Sequence, residues 1–351
     1  MTNSRVTGVR SIELGVRDLH QSAEFYTKVW ALEEVSADGD SIHFRATGGE
    51  HHVLTIRERP QASLLGVHFA AADRDAVNQL CARAKGYGVA LAGDPAPLDA
   101  SAGGGYGFRF ETPDGLPMTI SSDSVQHPNV VLDRSRPTKI SHVVLNSART
   151  DDQVPFFIDV LGFRLSDSTH MMEFLRCSAD HHSIAIFRNN GPSLNHVAYE
   201  LPNIDGLMRG AGRVKRSGFD IEWGVGRHGP GSNVFSYFIE PNGFVAEYTT
   251  ELDPRRCNAR SPGCQLLAKN DAKSGPLGAG RPAVEPDARR HVGRALPERP
   301  GIGRRAGRRR ALRRHHRAQA RLIHRLLPLA LDPDVRDSIG RSPVSSQGWY
   351  A

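Results

Sequence analysis

Up to Glu251 the chain alternates apolar and polar positions in short runs bounded by Gly, Pro and Asp. A period of two over five to eight residues marks half-buried strands. SIELGV at 11–16, HFRAT at 43–47 and HHVLTIR at 51–57 all read this way. Between the first two, residues 19–30 space Leu19, Ala23, Phe25, Tyr26 and Trp30 for one face of a helix. LGVHFAA at 65–71 begins another strand, RDAVNQLCARAKGYG follows as a helix, and residues 106–120 form two strands joined at Pro113-Asp114-Gly115.

The same order returns later. HVVLNS at 142–147 is a strand, VPFFIDVLG a helix, and MMEFLRC and SIAIFR are strands. NHVAYEL at 195–201 is a strand, IDGLMRGAGRVKRSG a helix, and VFSYFIEPNGFVAEYTTE a hairpin turning at Pro241-Asn242-Gly243. Residues 11–26 lie over 142–157 without a gap, Phe25-Tyr26 onto Phe156-Phe157. The body is thus four copies of one strand–helix–strands unit, two in each half, and the fold class expected is α+β. Residues 121–139, with their Pro and Asp, read as the linker between halves.

Charge separates this body from the remainder. Residues 253–351 hold 20 Arg and 2 Lys against 8 acidic residues, a net +14, which leaves residues 1–252 at −7 of the overall +7. A mildly acidic body does not suit a nucleic acid. The Arg-rich tail reads as an out-of-frame translation of GC-rich DNA, a solvated disordered extension, or a basic arm; none gives it a catalytic role. No apolar run approaches a membrane span, no secretory leader pattern opens the chain, and the four cysteines are too scattered for a disulfide framework. A soluble cytoplasmic protein of a reducing compartment is expected.

Candidate chemistry lies in the second half. His142 and His196 fall on the first strands of the third and fourth units, and Glu247 falls on the last strand of the fourth. Any one of them alone is more simply a structural residue. At matching positions of a repeat, two imidazoles and a carboxylate can meet at one metal and leave its opposite side open, which suits Fe(II) that must hold a substrate and dioxygen together.

The run GRHGPGSNVFSYFIEPNGFVAE from Gly226 to Glu247 resembles the signature of the type I extradiol ring-cleavage dioxygenases, of the vicinal oxygen chelate superfamily. That signature takes Gly-x-His, a Tyr nine positions on, an acidic-Pro-x-Gly turn and a metal-binding Glu ten after the Tyr. His228, Tyr237, Glu240-Pro241-Asn242-Gly243 and Glu247 meet these spacings, while Ser236 stands where the family prefers an apolar residue.

The resemblance implies tandem βαβββ modules, two per domain, forming two curved open barrel-like sheets. It gives a metal-free domain over 1–125, a catalytic domain over 136–252 and a tail over 253–351. It implies His142, His196 and Glu247 as ligands of Fe(II), with Mn(II) as a substitute. His182 is implied as the active-site histidine, with His181 as a solvent-facing neighbour, and His228 and Tyr237 as the pair that hydrogen-bonds the substrate. Phe174, Met172 and Ile184 could line an apolar pocket or be ordinary core. The partners implied are a catechol-type diol and O2, in a homo-oligomer.

The first half serves as an internal control. Ser11, Gly66 and Met118 fall near the three ligand positions, and His20, His43, His51, His52 and His68 read as surface or packing residues. Ligands confined to one half set the chain apart from glyoxalases and fosfomycin-resistance proteins, whose sites draw on differently paired units. Two alternatives remain: a metal-dependent isomerase or lyase of the glyoxalase type, and a non-catalytic small-molecule binder of the same fold.

Overall fold

The computed structural model describes residues 4–128 and 133–254. The tail readings beyond residue 254 fall outside the described residues. Four units follow one another. The first is β1 (Val6–Val16), α1 (Leu19–Glu24), β2 (Glu33–Asp38), β3 (Ser41–Arg45) and β4 (Leu54–Glu58). The second is β5 (Ser63–Ala71), α2 (Arg74–Tyr87), β6 (Ala96–Pro97), β7 (Tyr106–Glu111) and β8 (Pro117–Ser122). The third is β9 (Lys139–Ser147), α3 (Thr150–Pro155), β10 (Arg164–Ser168), β11 (Met172–Arg176) and β12 (Ile184–Arg188). The fourth is β13 (Ser193–Glu200), α4 (Ile204–Arg216), β14 (Trp223–Arg227), β15 (Val234–Ile239) and β16 (Val245–Thr250).

Two units share each sheet. The strand orders are β2-β3-β4-β1-β5-β8-β7-β6 and β10-β11-β12-β9-β13-β16-β15-β14, the same path twice. Within a unit the first and last strands pair in parallel, which requires a crossover, and the helix begins it. Between units the central strands pair antiparallel, β1 with β5 and β9 with β13. The expected α+β architecture of repeated βαβββ modules is the one observed. No helix among the described residues is long and apolar enough to cross a membrane.

Local chemistry explains the helix starts. Asp18, Asp73 and Asn203 accept hydrogen bonds from Gln21 N, Ala76 N and Gly206 N, satisfying donors that the first turn leaves free. The helix expected over residues 19–30 is α1 followed by a wider π turn at Phe25–Val29, and the same widening occurs at Phe156–Val160. In both places the aromatic pair, Phe25-Tyr26 or Phe156-Phe157, is buried. The strands that alternation did not mark are β2, β6, β10 and β14, which are the four sheet ends. An edge strand buries little, so its sequence carries no period.

The two halves are joined by aromatic side chains of the first half inserted against the second sheet. Trp30 stacks on Tyr248 with ring centroids 3.8 Å apart, and meets Tyr199 and Phe238 edge-on. Tyr248 Oη donates to Trp30 O at 2.7 Å, and Arg213 donates to Val29 O at 2.9 Å. The Glu240–Gly243 turn reaches back as well: Asn242 Oδ1 accepts from Arg17 N at 2.9 Å, and its amide donates to Ser22 Oγ at 2.9 Å.

Two outcomes follow from these contacts. Trp30→Ala removes a fully buried stacked ring and should lower unfolding free energy by about 3–5 kcal/mol in chemical denaturation. Burial raises the pKa of Glu240 to about 7, against the hydrogen bonds donated to it by Asn242 and the turn backbone. A carboxyl whose folded pKa lies above its unfolded one stabilises the fold most when protonated, and that contribution fades as pH rises through the folded value. Denaturation midpoints should therefore contain a component that falls from about pH 5 to about pH 8, and Glu240→Gln should flatten it.

Candidate metal centre

β9, β13 and β16 lie side by side at the middle of the second sheet, so residues far apart in sequence become neighbours. Ala198 of β13 pairs with His142 of β9 on one side and with Glu247 of β16 on the other. His196 pairs with Val144. Facing partners in a sheet point to one side, and here that side is the concave face of the sheet.

Two register shifts set the imidazoles. β13 carries an extra residue between Leu194 and His196, and β9 carries one opposite the Ala198–Tyr199 step. These extra residues, Asn195 and Ser141, are the ones that hydrogen-bond the adjacent ligands. Asn195 Oδ1 lies 2.8 Å from His196 Nδ1, and Ser141 Oγ lies 3.1 Å from His142 Nδ1. Asn195 is itself held by Asn146, whose Oδ1 accepts its amide at 3.0 Å. Each bulge thus re-aims a histidine and engages Nδ1, which turns Nε2 toward the centre.

At that centre Glu247 Oε2 stands 3.3 Å from His142 Nε2 and 3.2 Å from His196 Nε2. Both Glu247 Oε2 and His196 Nε2 are buried without a hydrogen-bond partner. The atoms are close, yet the alignment is not that of a hydrogen bond. Three lone-pair donors converging in a buried place fit a divalent cation. Among the described residues this is the one group of three such side chains close enough to hold an ion, with ligand atoms all within 4.8 Å. Burial alone would raise the Glu247 pKa, but His142 and His196 outweigh it and hold the carboxyl well below its usual range. Burial keeps His196 neutral against the pull of that carboxylate. Glu247 and His196 are therefore each in the state that ligates.

A residue inside the signature run, not singled out from the sequence, fixes the carboxylate. Asn233 is fully buried, and its Nδ2 donates to Glu247 Oε1 at 3.2 Å and to Thr249 Oγ1 at 2.7 Å. Holding Oε1 leaves Oε2 for the metal. Only the hairpin pairing reveals this, because Asn233 precedes β15 and Glu247 lies on its partner strand.

The remaining candidates gather on the open side. His182 lies just before β12 with its ring 4.3 Å from that of His142. Burial, then the neighbouring His142 and His181, drives its pKa well below the ordinary value. His228 Nε2 and Tyr237 Oη are 3.0 Å apart. Burial takes His228 down to about 4 and raises Tyr237, so the pair is neutral with the phenol protonated. Trp223 stacks on Tyr237 and Phe235 on His228, fixing both rings. A cavity of about 50 Å³ beside them is lined by Met172 and Phe174, together with Val144 and Pro230.

Three placements differ from expectation. Ile184 does not face this cavity: it pairs with Val143 and lies in the main core, while its neighbour Ala185 packs with Phe174 and Val144. Alternation on a strand allows only one of two consecutive residues to face inward. His181 is not solvent-facing but 1% exposed, its Nδ1 3.1 Å from His182 Nδ1 and its Nε2 3.6 Å from Asp167. In the first half, Ser11 and Gly66 do occupy the positions of the two histidines, but Thr119 rather than Met118 takes that of Glu247. Thr119 pairs with His68 as Glu247 pairs with Ala198, and Met118 faces the core.

A family model of the Glyoxalase/Bleomycin resistance protein/Dioxygenase superfamily matches residues 8–119 and again 139–248. Metapyrocatechase 2 of Cupriavidus necator is 32% identical over 123 residues, 34% of this chain and 38% of that protein. Metapyrocatechase of Pseudomonas sp. (strain CF600) is 23% identical over 253 residues, covering 66% of this chain and 82% of the other. A crystal structure of the Mn(II)-bound glyoxalase from Novosphingobium aromaticivorans superposes with a TM-score of 0.69 at 47% identity, over 72% of this chain and 84% of that one.

The geometry around Glu247 makes a measurable statement about Asn233. Asn233→Ala frees Oε1 and should weaken divalent-metal affinity by about 10–100-fold, read by competition with a chelating dye. Glu247→Ala should abolish the same signal, with near-native circular dichroism in both variants.

Proposed function

The chain belongs to the Glyoxalase/Bleomycin resistance protein/Dioxygenase superfamily, and we propose that it is an extradiol dioxygenase that opens catechol-type rings with O2. The observation that carries this reading is the placement of His182, His228 and Tyr237 together on the open side of a two-histidine, one-carboxylate centre. A merely structural metal would be closed by a fourth protein ligand and would need no proton-handling groups beside it.

Fe(II), or Mn(II) in its place, would be held by His142, His196 and Glu247 and would supply Lewis acidity and an electron path between diol and dioxygen. The protein's own groups do the rest. His182, neutral because it is buried, takes a proton from a diol hydroxyl or returns one to oxygen as the ring carbon–carbon bond breaks. In the tautomer where His228 Nε2–H donates to the Tyr237 oxygen, the phenol O–H remains free to donate to a substrate oxygen. Held donors in a dry pocket contribute about 2–4 kcal/mol each to such transition states. Val144, Met172, Phe174 and Pro230 exclude water and offer an apolar surface to the ring. Both atoms of dioxygen enter the product, a muconic semialdehyde type of acid.

A second reading is favoured by one observation, the 47% identity to the Mn(II)-bound glyoxalase. A metal-dependent isomerase or lyase of that type would turn over without consuming oxygen.

The two readings separate in one assay. Protein reconstituted anaerobically with Fe(II) and given catechol should form a yellow product only when air is admitted, one O2 per product. Turnover of a keto-aldehyde adduct in the absence of oxygen, with no catechol cleavage, would establish the isomerase instead. His182→Phe should retain iron at full stoichiometry while kcat falls by about 10²–10⁴.

A further inference from the structure

The first sheet encloses a cavity of about 190 Å³ in the place that the metal centre takes in the second. The backbone frame is the same around the cavity: β1 carries an extra residue at Arg10 and β5 one at Leu65, as β9 and β13 do at Ser141 and Asn195, and β1 alone has a further one at Thr7. The interiors are opposite in character. Inward positions that hold Val144, Phe174 and Phe187 in the second half hold Glu13, His43 and Arg57 in the first. A half that served only as scaffold would fill this space with apolar side chains, since a polar interior costs free energy unless its groups are bonded.

Three histidines face the cavity, each with one ring nitrogen already engaged. His43 Nδ1 lies 2.8 Å from Thr55 Oγ1, His68 Nε2 lies 2.7 Å from Ser121 Oγ, and His52 Nδ1 lies 3.1 Å from His51 Nδ1. His43 and His52 are 4% and 8% exposed with rings 5.0 Å apart, buried like packing residues rather than surface ones, and both line the cavity. The second nitrogen of each ring is left for an occupant. Burial lowers all three pKa values, that of His68 to about 3, so the rings are uncharged, and in the tautomer where the engaged nitrogen accepts, the second nitrogen carries the N–H.

Three carboxylates, Glu13, Asp38 and Asp99, and two guanidiniums, Arg57 and Arg109, line the cavity, and they differ in their partners. Glu13 is matched by Arg57 at 3.0 Å. Asp99 accepts from Ser101 N and Oγ at 2.9 Å and also feels the charge of Arg109, and Asp38 lines the same cavity. Arg109, the counterpart of Tyr237, makes no ion pair among the described residues and reaches solvent at the mouth. A guanidinium without an ion pair, lining the same cavity as three uncharged imidazoles that can each donate from the second ring nitrogen, suits a carboxylate, and the volume suits one ring, since an engineered cavity of about 150 Å³ holds benzene.

We propose that the first half binds a small single-ring organic carboxylate between Arg109 and the imidazoles of His43, His52 and His68, separate from the metal centre. The probe is benzoate, titrated calorimetrically into metal-loaded full-length protein, with benzyl alcohol as the uncharged control. One benzoate per chain is expected, with no saturable uptake of benzyl alcohol. Arg109→Gln, at an exposed position, should weaken benzoate at least tenfold, and His43→Phe, which installs the second half's own residue at this position, should abolish binding while the fold persists. His142→Ala, in the other half, should leave benzoate affinity unchanged. No saturation by benzoate, equal affinity in Arg109→Gln, equal uptake of benzyl alcohol, or loss of binding in His142→Ala would each overturn the proposal. So would a second equivalent of Zn(II) that His43→Phe removes, which would make the cavity a cation site.

Discussion

A carboxylate oxygen buried 3.2–3.3 Å from two imidazole nitrogens, without a hydrogen bond to satisfy it, is the constraint around which the second half is arranged. Left empty, such a cluster is costly, because each atom has surrendered water for nothing in return. The surroundings hold it in place. Asn195 and Ser141 engage the far nitrogens of the histidines, and Asn233 ties down the other carboxylate oxygen. All three supports come from the backbone irregularities or strand ends nearest the ligands, so the site is built into the sheet rather than laid upon it.

Strand alternation gives β16 two tasks. Glu247 points to the concave face, and Tyr248, the next residue, points to the other, where it stacks on Trp30 of the first half. Register of β16 therefore fixes the carboxylate and the join between halves together. A slip of one residue would exchange them and destroy both. The Glu240–Gly243 turn at the start of β16 is bound to Arg17 and Ser22, so the first half also steadies the hairpin that carries Tyr237 and Glu247.

Duplication produced two sheets with one backbone plan and two kinds of interior. The bulges persist in the first half, with Ser11, Gly66 and Thr119 where the second half has His142, His196 and Glu247. The paired histidines persist as well, His51-His52 and His181-His182, each with Nδ1 atoms 3.1 Å apart. What changed is the lining, aromatic and aliphatic beside the metal centre, imidazole and guanidinium in the first half. Local frame and local chemistry are separable in this fold.

The sequence by itself determined the repeat, the central strands and the helix faces, because each is written in a local period or in its recurrence along the chain. His142, His196 and Glu247 could be singled out as candidates by their matching positions in the repeat, and His228 and Tyr237 by their spacing in the run that ends at Glu247. Tertiary structure alone decided which face each residue meets. Ile184 differs from Ala185 only by strand parity, Asn233 reaches Glu247 only through the β15–β16 register, and Met118 yields to Thr119 by one residue of pairing. The edge strands left no period because they bury little, and only the closed sheet shows His43, His52 and His68 lining one cavity. Pairing between distant strands sets these facts, and a bulge of one residue reverses them, so no local pattern could contain them.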